Sequence, residues 1–130
     1  MRPTPADDTI RRMRPSVLIV DDHADFRASV CALLELQGFD VVADVESGDA
    51  ALEAAGRLRP DVVLLDVQLP GMDGFEVAER LAATEQAPRV VLISSRRRSA
   101  YDGRLPDAPV AGFLAKDELT GAALTALLCD

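Results

Sequence analysis

The sequence predicts an α/β fold: a doubly wound parallel sheet with helices on both faces, forming a three-layer sandwich. Three observations carry this. Apolar β-branched runs alternate along the chain with segments of helical periodicity. The runs are almost continuously apolar, as expected of strands covered on both faces. The chain has 130 residues, a length that suits one domain with one core. Right-handed crossovers between parallel strands then place helices on both sides. The pattern leaves the strand order open, but in any such sheet a ligand site lies beyond the carboxyl ends of the strands.

The elements follow in order. Ser16–Asp21 ("SVLIVD") is a first strand ending in acid. In "ADFRASVCALLELQGF", Phe26, Val30, Leu33, Leu34 and Gln37 share one helix face, and Gly38 supplies the stop. Asp40–Val45 is a second strand. Ser47 caps a second helix carrying Ala51, Leu52, Ala55 and Leu58, closed by Pro60. "DVVLLD" (Asp61–Asp66) is the third strand. After a turn at Pro70 and Gly71, "DGFEVAERLAA" carries Phe75, Val77, Ala78 and Leu81 as a third helix. Arg89–Ser94 and Val110–Ala115 are the fourth and fifth strands. "DELTGAALTALL" is a closing helix, with Leu119, Ala122, Ala123 and Leu127 inward and Asp117 near its N-cap. The alternation asks for a further helix between strands four and five. Gly103, Pro106 and Pro109 predict a short or irregular segment there instead.

Formal net charge is −8 and the sequence pI about 4.6, which argues against non-specific binding to nucleic acid or to an anionic membrane surface. The basic residues gather at Arg96, Arg97 and Arg98 and near the N-terminus, a pattern typical of solvated faces. The two cysteines, Cys31 and Cys129, do not form a secreted disulfide framework and read as free thiols in a reducing, cytoplasmic compartment. No run approaches the roughly 20 apolar residues of a membrane span. Residues 1–15 lack the apolar core of a secretory signal and are expected to form a flexible tail ahead of a 16–130 domain.

The polar residues at the strand ends carry the chemistry. Asp21 and Asp22 end strand one, Asp66 ends strand three, Ser94 ends strand four, and Lys116 follows strand five. Each has an ordinary reading when taken alone. An acid pair caps the next helix, an aspartate or serine forms a turn, and a lysine is solvated; Phe113 on strand five reads as core. Jointly, the fold brings the acids, hydroxyl and amine to one sheet edge. Three clustered carboxylates repel one another and raise one another's pKa, so the cluster calls for cations. Oxygen ligands suit a hard divalent ion, Mg²⁺ or Mn²⁺, and Lys116 adds a further charge. A cation beside a carboxylate lets that carboxylate meet a phosphoryl group, and Ser94 can donate to the phosphoryl oxygens.

These residues resemble a family. "VLIVDDH", "DVVLLDVQLPGMDG", "VVLIS" and "GFLAKDEL" are similar to the receiver domains of two-component response regulators, from about Ser16 to the C-terminus. They are nearest to receivers that precede helix-turn-helix effectors. The resemblance implies a flavodoxin-like sheet in the order 2-1-3-4-5 with five helices. It implies that Asp66 is the phospho-acceptor and, with Asp22, a direct Mg²⁺ ligand. Asp21 helps to bind the ion partly through water, and Gln68 offers its backbone carbonyl. Ser94 is the implied switch hydroxyl, Phe113 the switch aromatic and Lys116 the phosphoryl-binding lysine. The implied partners are a cognate histidine kinase or phosphotransfer protein and an output partner that the sequence does not name.

Two departures stand out. Asp117 follows the lysine where many receivers have proline, and "YDGRLPDAP" stands where the fourth helix belongs. No effector domain is expected in this chain. The expected function is a phosphorylation-dependent signalling switch rather than an enzyme. The 95–110 segment is expected to be mobile until phosphorylation orders it, with Phe113 rotating inward as Ser94 moves. Two alternatives compete. An aspartyl-nucleophile phosphatase is disfavoured because Asp66-Val67-Gln68 lacks the second acid of an Asp-x-Asp pair and no cap domain is present. An unphosphorylated pseudo-receiver, acting as an interaction module, is disfavoured by retention of Asp21, Asp22, Asp66, Ser94 and Lys116.

Overall fold

The structure, a computed structural model, describes residues 14–128. The apolar runs fold as strands Ser16–Val20 (β1), Asp40–Val45 (β2), Val62–Asp66 (β3), Arg89–Ser94 (β4) and Gly112–Ala115 (β5). They form one parallel sheet in the order β2-β1-β3-β4-β5, as the resemblance implied. All residues of the central strand β3 are buried. Alternate side chains point to opposite faces, which divides the core in two. Leu18, Val20, Val63, Leu65 and Leu92 face one way, and Val17, Ile19, Leu64, Val91 and Ile93 the other.

Four α-helices cover these faces among the described residues: Ala24–Leu36 (α1), Gly48–Leu58 (α2), Gly74–Ala82 (α3) and Gly121–Leu128 (α4). Helices α2 and α3 bury Ala51, Ala54, Phe75, Val77, Ala78 and Leu81 against the first face. Helices α1 and α4 bury Val30, Leu34 and Leu124 against the second. Each fully buried aliphatic side chain stabilises the fold by about 1.5–3 kcal/mol relative to exposure. The caps follow from the sequence. Ser47 Oγ accepts the Ala50 N–H at 3.2 Å, and Asp73 Oδ1 accepts the Glu76 N–H at 2.9 Å.

The fourth-helix position holds two 3₁₀ turns, Arg98–Tyr101 and Leu105–Asp107, as the glycine and prolines there predict. The resemblance had implied a full helix, and so five in all. Tyr101 is the buried residue of these turns.

Three expectations need correction. Asp117 does not cap the closing helix. Lys116–Glu118 forms its own 3₁₀ turn, with Glu118 Oε1 reaching back to the Ala115 N–H at 3.1 Å. Thr120 Oγ1 accepts the Ala123 N–H at 3.0 Å instead, and α4 starts at Gly121. That later start rotates the inward face, so Leu119, Gly121 and Leu124 are buried and Ala122 is exposed. Gln37 does not extend the apolar face of α1. It is the exposed C-cap residue, and its side-chain oxygen accepts the Gly121 N–H. Strand β5 begins at Gly112 rather than Val110. Of the expected tail, residues 1–13 lie outside the described residues, as does Cys129. Pro15 already belongs to the sheet edge, its carbonyl accepting the Asp40 N–H at 2.9 Å.

Candidate functional site

Among the described residues the buried polar side chains are Asp21, Asp66 and Ser94, 0%, 3% and 0% exposed. All three stand at the carboxyl ends of β1, β3 and β4, the central strands of the sheet. Burying a carboxylate is costly unless it is paired, so two carboxylates and a hydroxyl buried at one edge need a common purpose. The ordinary reading of the acid pair as a helix cap does not hold. The N-cap of α1 is His23, which makes no side-chain cap hydrogen bond. Asp21 Oδ1 accepts the His23 backbone N–H at 2.8 Å. That bond leaves Asp22 facing outward at the mouth of the site.

Lys116, in the turn after β5, reaches into the cluster. Its Nζ is 2.6 Å from Asp21 Oδ2 and 3.4 Å from Asp66 Oδ2. The contact with Asp21 is an ion pair without hydrogen-bond geometry, and Asp21 Oδ2 is a buried oxygen that accepts no hydrogen bond. The Phe26 ring lies 4.5 Å from the same ammonium, which its π face attracts. Asp66 Oδ1 accepts the Gln68 backbone N–H at 3.2 Å. Burial raises the Asp66 carboxyl above its ordinary pKa, outweighing the nearby Lys116 charge and the Gln68 N–H; Asp21 pushes the same way. Burial works against the Lys116 ammonium. Its contact with Asp21 and the charge of Asp66 outweigh that, so Lys116 titrates above its ordinary value.

The donor set fits a hard divalent cation. Asp21, Asp22, His23 and Asp66 each place one ligand atom so that all lie within 4.8 Å of one another. The carboxylates supply oxygen, the buried Asp21 Oδ2 lacks a hydrogen-bond donor, and exposed Asp22 leaves room for retained waters.

Ser94 is engaged elsewhere. Its Oγ accepts the Arg96 N–H at 3.0 Å and shares a hydrogen bond of 2.8 Å with the Tyr101 hydroxyl, while no hydrogen bond joins it to Asp66. Phe113 is 5% exposed, its ring centroid 5.7 Å from that of Tyr101. The structure therefore brings Asp21, Asp22, Asp66 and Lys116 together and seats Gln68 beside Asp66. It sets Ser94 and Phe113 around Tyr101. Arg96, Arg97 and Arg98 are exposed.

Sequence reasoning missed three residues. His23 places Nδ1 at 3.0 Å from Asp21 Oδ1 and 3.1 Å from Asp22 Oδ1. Its signal was position: it is the single histidine and directly follows the acid pair. Tyr101, the single tyrosine, stands alone as a large aromatic in a polar segment. Phe26 was read only as helix face.

Comparison with known proteins agrees with this fold. The family model "Response regulator receiver domain" matches residues 17–128. The transcriptional regulatory protein NarL of Mycobacterium tuberculosis is 40% identical over 113 residues, 86% of this chain and 52% of that protein. The response regulator GacA of Pseudomonas aeruginosa is 35% identical over 101 residues, 77% of this chain and 47% of that one. The chain thus spans about half the length of the curated relatives it matches. Among solved structures, the signal receiver domain of NarL from Mycobacterium tuberculosis superposes with a TM-score of 0.80 at 37% identity. It covers 90% of this chain and 98% of that one. A LuxR-family two-component response regulator from Aurantimonas sp. SI85-9A1 gives 0.78 at 26% identity, covering 88% and 86%. Among the described residues no helix is long and apolar enough to cross a membrane. With its 2-1-3-4-5 sheet and its acids, hydroxyl and lysine at the strand ends, the chain belongs to the response regulator receiver domain family of two-component signalling.

Proposed function

We propose that this chain is a phosphorylation-dependent switch that takes a phosphoryl group onto Asp66 from a phosphohistidine of a cognate kinase or phosphotransfer protein. One observation carries the reading: Asp66, the last residue of the buried central strand, shares the Lys116 ammonium with the buried Asp21 at the carboxyl edge of the sheet. An Asp66 carboxylate oxygen attacks the phosphorus. The new P–O bond forms as the P–N bond breaks, and the electron pair stays on the imidazole nitrogen, which is then protonated. Strand β3 fixes the carboxylate, and the Gln68 N–H on Oδ1 leaves Oδ2 as the attacking oxygen. Lys116 moves from pairing with Asp21 and Asp66 to pairing with the incoming phosphoryl oxygens. Ser94 donates to the same oxygens, and Phe113 responds on β5.

Asp22, Asp66 and the Gln68 backbone carbonyl, with Asp21 partly through water, are the proposed ligands of Mg²⁺, or of Mn²⁺ in its place. When bound, that ion neutralises charge shared between the carboxylates and the phosphoryl group. The chain works as a switch rather than a turnover enzyme, in the cytoplasm, and passes its state to a protein partner. Incubation with Mg²⁺ and a small acyl phosphate should add one phosphoryl mass to the intact protein, and none to Asp66→Asn. A phosphoryl gain by that variant would rule out Asp66 as the acceptor.

A further inference from the structure

The hydroxyl of Ser94 has one more partner than its proposed task needs. Its Oγ is fully buried and carries the Arg96 N–H on one lone pair. Its other hydrogen bond is to the Tyr101 hydroxyl at 2.8 Å, in which either oxygen can be the donor. Tyr101 OH has Ser94 as its hydrogen-bond partner among the described residues. A serine hydroxyl has one proton to donate. If Ser94 Oγ moves to an oxygen carried by Asp66 and donates there, it gives up its bond to Tyr101, whichever hydroxyl was the donor.

Tyr101 is also built into the fold. Its ring lies between Phe75 of α3, centroids 5.8 Å apart, and Phe113 of β5, 5.7 Å apart, both in tilted packing. Beside it, Arg104 stacks 4.0 Å over the Phe75 ring and pairs with Asp73 Oδ2 at 3.2 Å. The two 3₁₀ turns are therefore pinned to α3, β4 and β5 through Tyr101 and Arg104. The ring holds position by packing, and the hydroxyl holds Ser94.

Resting on the reading of Asp66 as acceptor, we propose that Tyr101 is a positioning residue whose hydroxyl competes with the Asp66 phosphoryl group for Ser94. Transfer of Ser94 from one to the other cuts the polar tie of the 98–107 turns to the sheet. It leaves the Tyr101 ring between Phe75 and Phe113 with an unpaired hydroxyl. The signal thus passes from Ser94 to Tyr101 before it reaches Phe113, whose ring has no hydroxyl to bond.

The experiment is a double-mutant cycle in the full chain, using Tyr101→Phe and Ser94→Ala, with phosphorylation by acetyl phosphate and Mg²⁺ followed by intact mass. Tyr101→Phe keeps the ring and removes only the competing hydroxyl. It should raise the phosphorylation rate about fivefold, the equivalent of the roughly 1 kcal/mol of a net hydrogen bond. In the Ser94→Ala background the same change should have no effect, because no serine remains to compete for. A purely structural role would shift both backgrounds alike, and that result overturns the proposal, as does an unchanged or slower Tyr101→Phe. A second measurement does not depend on the variant. In wild type, amide exchange at Ala100 and Arg104, whose N–H groups close the turns onto Arg97 and Tyr101 carbonyls at 3.0 and 2.9 Å, should speed up on phosphorylation. Slower exchange there overturns it. Wild type that gains no phosphoryl mass defeats the reading of Asp66 and this proposal together. Normal phosphorylation with an additive cycle defeats the Tyr101 proposal alone.

Discussion

The Lys116 ammonium stands 2.6 Å from Asp21 Oδ2, a fully buried oxygen that accepts no hydrogen bond. Lysine thus supplies the positive charge that lets a carboxylate sit at the end of β1. Removing one partner of such a pair strands the other charge, at a cost on the order of 3 kcal/mol. Lys116→Met should therefore lower the unfolding free energy of chelator-treated protein, read from urea titrations, by about that much. Adding Asp21→Asn should restore most of the loss. If the double variant is as unstable as the sum of the singles, the pair is not coupled.

The pH dependence follows from Asp66, whose carboxyl titrates above its ordinary 3.8 because burial outweighs the attraction of Lys116. A group whose folded pKa is raised contributes stability that is fully present below the unfolded value and lost as pH rises through the folded value. At neutral pH the Asp66 carboxylate therefore costs stability. Asp66→Asn, which stays neutral and still accepts the Gln68 N–H, should be more stable than wild type at pH 7 in chelator. The advantage should close as pH falls toward 3.8. Lys116 follows the same rule in a higher window, its raised pKa keeping its pairing fully present below 10.5 and losing it as pH rises further. Urea titrations across pH 4–8 check the sign, and a variant less stable at pH 7 than at pH 4 relative to wild type would refute it.

Much of this was legible in the sequence, for a physical reason. Strands buried on both faces must be apolar throughout, so β4 has the bounds its β-branched run predicted, and the half-buried edge strand β2 also keeps its predicted bounds. A doubly wound sheet brings its carboxyl ends to one edge, so acids at strand ends announce a site before any distance is known. The closing helix was placed too early because Asp117 and Thr120 are both acceptable caps. The choice fell to Glu118 folding back on Ala115, which is a tertiary event. Tyr101 escaped because two 3₁₀ turns with one buried residue carry no periodicity. Its tie to Ser94 also bears on the expected response of the 95–110 segment. The glycine and prolines argued for a segment ordered by phosphorylation, whereas the proposal that Tyr101 competes for Ser94 expects release instead.

The two neighbouring acids should differ as ligands. Asp21 is already committed, with Oδ1 accepting the His23 N–H and Oδ2 facing Lys116, whereas Asp22 is exposed and carries the softer contact with His23. Asp22→Ala should weaken Mg²⁺ binding by about tenfold, or about 1.4 kcal/mol. Asp21→Ala should weaken it less, while altering stability more through Lys116. Magnesium titrations followed by calorimetry or NMR shifts test this, and equal affinity in wild type and Asp22→Ala would exclude Asp22 as a direct ligand.

Two glycines on adjacent helices should respond oppositely to a single methyl group. Gly74 opens α3 where the chain turns back against the acceptor strand, and its N–H donates to the Val67 carbonyl at 2.8 Å. A Cβ there would meet the Asp66 carbonyl oxygen at 2.5 Å and Val67 Cα at 2.9 Å, both backbone atoms that yield only if the acceptor loop moves. Gly74→Ala should therefore cost about 1–3 kcal/mol by overpacking. It should also slow phosphorylation, since the displaced backbone carries Asp66. Gly56 lies within α2 with nothing within 4 Å of an added Cβ. Gly56→Ala should stabilise the protein by about 0.5–1 kcal/mol through helix propensity and leave phosphorylation unchanged. Thermal melts paired with acyl-phosphate labelling of the two variants distinguish the effects. A Gly74→Ala protein that labels at the wild-type rate would show that the Asp66 backbone tolerates displacement, and that the glycine serves packing alone.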